Sequence, residues 1–484
     1  MFIAWRVGNN KYINIFGVFM IKTRHGVGDF GFRDKLGYLF GDFGNDFTFL
    51  LSSSFILKFY TDVMGLAPWI VGAVMTLARF VDAFTDVTMG RICDRAKTGA
   101  AGKFKPWILR MCGPVAIASF LIYQSGLADM PTGFKVVWLT VTYILWGSVF
   151  YTSINIPYGS MASAITPKPE ERQSLSTFRS MGSALAGLIV GAGVPLFAYD
   201  TVNGATVLNG LRFTIISGIF SILSIVCYLL CYFLCSERVE RQDENHGARG
   251  SLLSLIKRAA KNRSLLSIIA ASVVMLLSQL TLQAMSNYVY PNYYGNVGAQ
   301  SASTVVMVVS LFAAAAIAKP LSQKFGKAEI STVANLAAAG VSLLLFFLRP
   351  SNVWVYVGIS AVSWFGLGLF TMVSWALITD VIDDAEVRYG IREDGSIYAL
   401  YSFSRKLGQA AAAGVSGLLL SLIGYSEQTA FAPDVVSGIY NISTVVPAIG
   451  FALLGIILLL WYPLKRDKVL ENGKILAERH KNPS

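Results

Sequence analysis

Asp46, Asp82 and Asp86 lie in stretches that are otherwise almost wholly apolar, LGYLFGDFGNDFTFLLSSSFILKFY for the first and WIVGAVMTLARFVDAFTDVTMG for the other two. A charge in hydrocarbon costs about 2.5–3.5 kcal/mol on insertion scales, so such residues usually line a wet path. Asp82 and Asp86 are four residues apart, which stacks them one turn apart on one helix face. Arg79 precedes them on nearly the same face, and Arg179 and Lys406 are further cations inside apolar runs. The pair offers hard carboxylate oxygens, the ligands small cations prefer. A proton needs less, one carboxylate in a dry setting beside a second acid. The pattern implies an ion-coupled path for a solute.

The elements that must hold these residues are membrane helices. Of 484 residues 54% are hydrophobic and 14% charged, against about 25% charged in soluble domains, and mean hydropathy is +0.56. Apolar runs of spanning length recur near 35–60, 67–92, 106–126, 134–157, 173–199, 211–235, 264–290, 300–323, 329–348, 353–380, 395–424 and 438–463. This predicts an all-α polytopic membrane protein with about twelve transmembrane helices. The loops after even-numbered spans carry the cations, among them Arg91, Arg95, Lys103, Lys168, Arg172, Arg238, Lys257, Lys324 and Arg388. By the positive-inside rule both termini are cytoplasmic. The net charge of +12 is thus a topology signal; nothing resembles a basic, aromatic-studded nucleic-acid face.

A long polar stretch, SERVERQDENHGARGSLLSLIKRAAKNRS, divides the chain in two. The expected organisation is an extension at 1–34, disordered and without a convincing signal-peptide cleavage site, a first six-helix bundle at 35–235, a cytoplasmic loop at 236–263, a second bundle at 264–463 and a cytoplasmic tail at 464–484. Equal halves about a central loop suit bundles that rock around a midplane site. Cys227, Cys231 and Cys235 form a stripe at i, i+4 and i+8, read as packing ahead of a metal or redox cluster. His25, His246 and His480 fall outside the apolar runs, which argues against a histidine-ligated metal centre. No phosphate-cradling loop, nucleophile elbow or zinc motif is present, so no enzyme and no cofactor is expected.

Gly90, Asp94, Arg95, Gly102 and Lys103 resemble the G-x-x-x-D-R…G-[RK] loop of the major facilitator superfamily. KLGYLFGDFGNDF, ARFVDAFTDVTMG, GKFKPWIL, YTSINIPYGSMASAIT, ERQSLSTFR and ITDVIDDAEVRYGIREDGSIYALYSFSRKLGQA resemble the glycoside–pentoside–hexuronide:cation symporters, the melibiose permease type. The resemblance runs from about Lys35 to the end and implies a major facilitator fold of two six-helix bundles. It implies a secondary active transporter, moving a sugar, glycoside, pentoside or hexuronide into the cell with Na+ or H+ across the cell membrane. It also implies roles: Asp46 and Arg179 for sugar, Asp82 and Asp86 for the cation, Tyr151, Thr152 and Asn155 between the two, and Lys406 with Ser402 in the eleventh span. The family type has an aspartate where this chain has Asn155, and a lysine where it has Asn45. Both departures weaken a transfer of galactoside specificity or sodium dependence.

The residues themselves leave alternatives. Thr152 and Asn155 could complete an oxygen shell for the cation, with Arg79 and Lys406 neutralising the acids when no cation is bound; the bland reading is a pair of interhelical ion pairs. Arg179 supplies a planar donor fork for vicinal hydroxyls or a carboxylate; the bland reading is that it pairs with Asp46 alone. Lys406 and Tyr151 are further sugar candidates; Trp146, Tyr398 and Tyr401 could also stack on a sugar but read more readily as packing. The acidic stretch DVIDDAEVRYGIRED is placed in the cytoplasmic loop after span ten, where Asp380, Asp383, Glu386 and Arg392 would face the Arg95–Lys105 loop as a gate that includes Asp94 and Arg95. Carriage of a lipid or drug-like amphiphile, or a non-transporting receptor, remain the competing functions.

Overall fold

Four of the helices begin at an asparagine whose side chain accepts a backbone N–H of the first turn: Asn209, Asn262, Asn296 and Asn352. Proline in the first turn starts others, as at Pro68 and Pro433. Both devices satisfy or remove donors that a helix end leaves unpaired. The computed structural model describes residues 5–6, 12–13, 29–96, 98–99, 101–239, 262–390 and 394–481.

Within these residues the order is α1 (Phe32–Asp62), α2 (Pro68–Arg95), α3 (Lys105–Ile122), α4 (Thr132–Ile165), α5 (Glu170–Ala198), α6 (Gly210–Leu234), α7 (Arg263–Tyr293), α8 (Val297–Phe325), α9 (Lys327–Leu348), α10 (Val353–Tyr389), α11 (Asp394–Leu422), α12 (Pro433–Trp461) and α13 (Arg466–Lys481). This is the all-α fold with twelve long helices, six before the central segment and six after it. Nine are long and apolar enough to cross a membrane. The other three, α1, α2 and α11, fall short because they carry the buried acids and cations. Their polarity belongs to the site they build.

Small residues let the helices approach closely. A Cβ on Gly37, Gly41 or Gly44 of α1 would stand 3.0 Å or less from atoms of Cys235, Cys231 or Cys227 on α6. The cysteine stripe is therefore the counterpart of a glycine stripe. Between bundles, a Cβ on Gly417 of α11 would lie 2.4 Å from the carbonyl oxygen of Pro68 on α2.

Three features differ from expectation. The acidic stretch is not a loop up to Tyr389: α10 continues through Asp380–Tyr389 because Asp384, 0% exposed, accepts from Ser264 at 2.9 Å, Arg388 at 3.0 Å and Asn472 at 3.2 Å. The expected tail includes a helix, α13, which Asn472 and Arg479 fasten to the end of α10. A short antiparallel hairpin, Tyr199–Val202 with Ala205–Leu208, joins α5 to α6. The expected extension and central loop lie largely outside the described residues.

The face bearing the end of α12 and the start of α1 is the terminal face; the opposite one is distal. A single apolar core runs from the first bundle into the distal parts of the second, through Met285, Tyr288, Tyr425 and Tyr440. The terminal half of the second bundle keeps a separate core around Leu265, Leu377 and Leu458. The bundles are thus fused distally and separate toward the terminal face.

Candidate functional site

Residues of α2, α4 and α11 meet in a first cluster. On α2, Arg79 Nη1 donates to Asp82 Oδ2 at 3.1 Å, one turn along the same face. Ser148 of α4 donates to Asp82 Oδ1 at 2.5 Å, and Thr152 donates to Asp86 Oδ1 at 2.9 Å. Lys406 of α11 forms an ion pair with Asp86 across the bundle interface. The wall that α4 presents here is a π-helical turn, Leu145–Tyr151, a distortion often found at functional sites. Its wider register lets the Thr152 hydroxyl also reach the Gly147 carbonyl at 3.2 Å. Arg79, Asp82, Asp86, Thr152 and Lys406 therefore form one cluster of charge and oxygen.

A second cluster lies between α1 and α5. Ser183 donates to Asp46. Arg179 does not pair with Asp46; its Nε donates to Asp42 Oδ1 at 2.9 Å, and its guanidinium lies 5.2 Å from the Tyr158 ring centroid. The Arg179 side chain is 38% exposed. Asp42, one turn before Asp46, escaped the sequence reading although GDFGNDF repeats the four-residue acid spacing of Asp82 and Asp86.

The clusters share a wall. Tyr151 stacks on Phe49 of α1 with centroids 5.6 Å apart, and on its other side meets buried Trp146. Asn155, one turn beyond Thr152, accepts from Asn45 Nδ2 at 3.5 Å, and Asn45 Oδ1 accepts from Tyr228 at 2.7 Å. Asn45 is adjacent to Asp46 and Asn155 lies one turn from Thr152, so this hydrogen bond stands between the two clusters. Tyr401 is buried and accepts from Ser272 at 2.8 Å inside its own bundle; the Tyr398 side chain lies outside the described residues.

Asp380 pairs with Lys327 at 2.6 Å within the second bundle. Asp383 and Glu386 are half-buried at the end of α10, and Arg95 is exposed at the end of α2. The Asp94 side chain and Arg392 lie outside the described residues. The signature loop itself is gathered by Glu237, which accepts the backbone N–H groups of Lys103, Phe104 and Lys105 at 2.7, 2.9 and 2.7 Å. Gly102, at φ +104°, admits that carboxylate: a Cβ there would lie 2.5 Å from it.

The distal seam holds a further charged group. Lys58 of α1, 1% exposed, donates to Asn292 at 2.8 Å on α7 and to Tyr425 at 2.9 Å just beyond α11, and pairs with Asp62 at 2.7 Å on its own helix. Tyr425 also donates to Asp62 at 2.8 Å, and the ammonium lies 4.4 Å from the Tyr288 ring centroid. Asn287 donates to the Ser54 carbonyl and Thr304 to the Gly191 carbonyl across the same seam, at 2.5 and 3.0 Å.

Two six-helix bundles, sealed on one face around paired acids and cations, define a major facilitator carrier. The chain belongs to the MFS/sugar transport protein family, whose model matches residues 37–466, the glycoside–pentoside–hexuronide type that the motifs resemble. Among its relatives, the glucuronide carrier protein homolog of Escherichia coli (strain K12) is 29% identical over 91% of this chain and 94% of that one. A putative sulfoquinovose importer of Salmonella typhimurium (strain LT2) is 30% identical over 93% of each. The fold is also that of a solved bacterial homolog to the human lysosomal transporter Spinster, at TM-score 0.65 and 11% identity, covering 91% of this chain and 97% of that one.

Proposed function

We propose that this protein is a cation-coupled symporter that carries a sugar into the cell by alternating access, with both termini cytoplasmic and the terminal face inward. One observation carries the reading. A cation-type cluster at Asp82, Asp86 and Thr152 and a sugar-type cluster at Asp42, Asp46 and Arg179 share one wall, in bundles parted toward the terminal face. Under this orientation the described conformation is inward-facing.

The coupling ion, Na+ or H+, takes the place of Lys406 on Asp86. The acid pair then no longer tethers α11, and the charge of the cluster is preserved through the exchange. Sugar occupies the hydroxyls and charges around Asp46 and Arg179. Asn155 and Asn45 join the two sites, so that each solute favours the geometry the other needs, a reciprocal coupling. Asp380, Asp383, Glu386 and Arg392 are assigned to the opposite-facing state, in which the terminal face closes on Asp94 and Arg95.

The names of the two relatives describe sugars bearing a carboxylate or a sulfonate. Among the described residues only Nε of Arg179 is engaged by Asp42, so its terminal nitrogens suit an anionic or vicinal-diol partner. An acidic sugar therefore heads the panel. Carriage of an amphiphile is disfavoured by the polar groups along the seam. The test is uptake of labelled glycosides, pentosides and uronides into proteoliposomes, with and without sodium, at two external pH values. At least one should accumulate with one ion. Absence of both uptake and counterflow for every sugar would leave a receptor.

A further inference from the structure

Between the sugar cluster and the sealed distal seam lies a cavity of about 90 Å³ with an apolar wall and a group of amide and hydroxyl side chains, room for several water molecules. On the first-bundle side its wall starts one turn beyond Asp46 and Ser183, at Leu50 and Gly187. On the second-bundle side it is lined by Gln283 and Asn287 of α7 and Gln300 of α8. Gln300 is 4% exposed, and its Nε2 donates to Asn287 Oδ1 at 2.7 Å. Its Oε1 has no hydrogen-bond partner. A buried carbonyl oxygen left without a donor is destabilising, and native proteins rarely keep one without a use. Asn287 does not serve it: its amide nitrogen donates to the Ser54 carbonyl at 2.5 Å, and Gln300 Oε1 receives no donor.

We propose that Gln300, set in place by Asn287 and neighboured by Gln283, accepts a hydrogen bond from a hydroxyl of the transported sugar and so reads that hydroxyl from the second bundle. The assignment rests on the symport reading and extends it: the acids and Arg179 come from the first bundle, whereas this acceptor comes from the second. A sugar held by both then bridges the two bodies that must move together. A hydroxyl is the chemistry the site selects, since an amide oxygen attracts a neutral donor without holding a charge.

The probes are methyl β-D-glucuronide, methyl β-D-xyloside and methyl α-D-galactoside, each with its singly deoxygenated analogues, in proteoliposome uptake. For the sugar that the wild type accumulates, one deoxy analogue should lose about tenfold in kcat/KM, as a site built for a hydroxyl requires. Gln300→Leu should lose a similar factor for the parent sugar and no longer discriminate that analogue. Should Gln300→Leu fail to fold, Gln300→Met carries the same readout. If Gln300 only braces the seam, either variant slows all sugars alike and keeps the discrimination, which overturns the assignment. Absence of uptake and counterflow for these probes and for every other glycoside, pentoside and uronide of the panel would instead sink the symport reading, and this assignment with it.

Discussion

Replacing Lys58 by methionine keeps most of the side-chain length and removes the charge that binds the bundles distally. Two of its three hydrogen bonds, to Asn292 and Tyr425, cross the seam, while the third, to Asp62, stays within α1. Only the crossing bonds distinguish a closed distal face from an open one. A hydrogen bond to a charged group contributes about 1.5–3 kcal/mol, but water takes over both when the face opens. The differential is therefore about 1–3 kcal/mol, a 5–150-fold shift in population. Asp62 adds to it, since it is left buried without its cation while the face is shut. Ser54→Cys, beside the cavity, reports the shift through its rate of labelling by an impermeant maleimide added on the distal side. The five native cysteines are all buried and supply little background. Labelling should accelerate at least fivefold in the Lys58→Met background. An unchanged rate would refute the view that Lys58 locks this face.

Other perturbations separate the two clusters. Arg179→Lys keeps the charge but loses the planar fork; the KM for an acidic sugar should rise about tenfold, with a smaller rise for a neutral one, in initial-rate uptake. Thr152→Val is isosteric and removes the donor to Asp86; half-saturation for the coupling ion should rise about three- to tenfold, with sugar affinity unchanged at saturating ion. Asp384→Ala strips the acceptor from Ser264, Arg388 and Asn472. It should destabilise the second bundle by about 2–4 kcal/mol, read as a lower melting temperature in detergent.

Much of this architecture is legible in the sequence because lipid imposes one rule: each span needs about 20 apolar residues, and polar exceptions need a reason. That rule exposes the twelve spans and the acids at 46, 82 and 86. It fails where charges lie near span ends. Lys58 and Asp62 fall where long side chains ordinarily snorkel outward, and their partners Asn292 and Tyr425 are more than two hundred residues away. Asp42 lies nearer the end of its span than Asp46, where a charge is less conspicuous, though it is the acid that Arg179 meets. The acidic stretch after span ten read as a loop because its charges suggest water, whereas one of them, Asp384, is a buried hub. Gln300 carries no sequence signal; only its unpartnered oxygen marks it.

The most direct test of the central claim compares gradient-driven accumulation with counterflow in Asp86→Asn proteoliposomes. Loss of the carboxylate removes the ion's anchor and the Lys406 pair together, so accumulation under an imposed ion gradient should disappear while exchange of labelled sugar continues. Accumulation equal to that of the wild type would contradict the assignment of the coupling ion to this site.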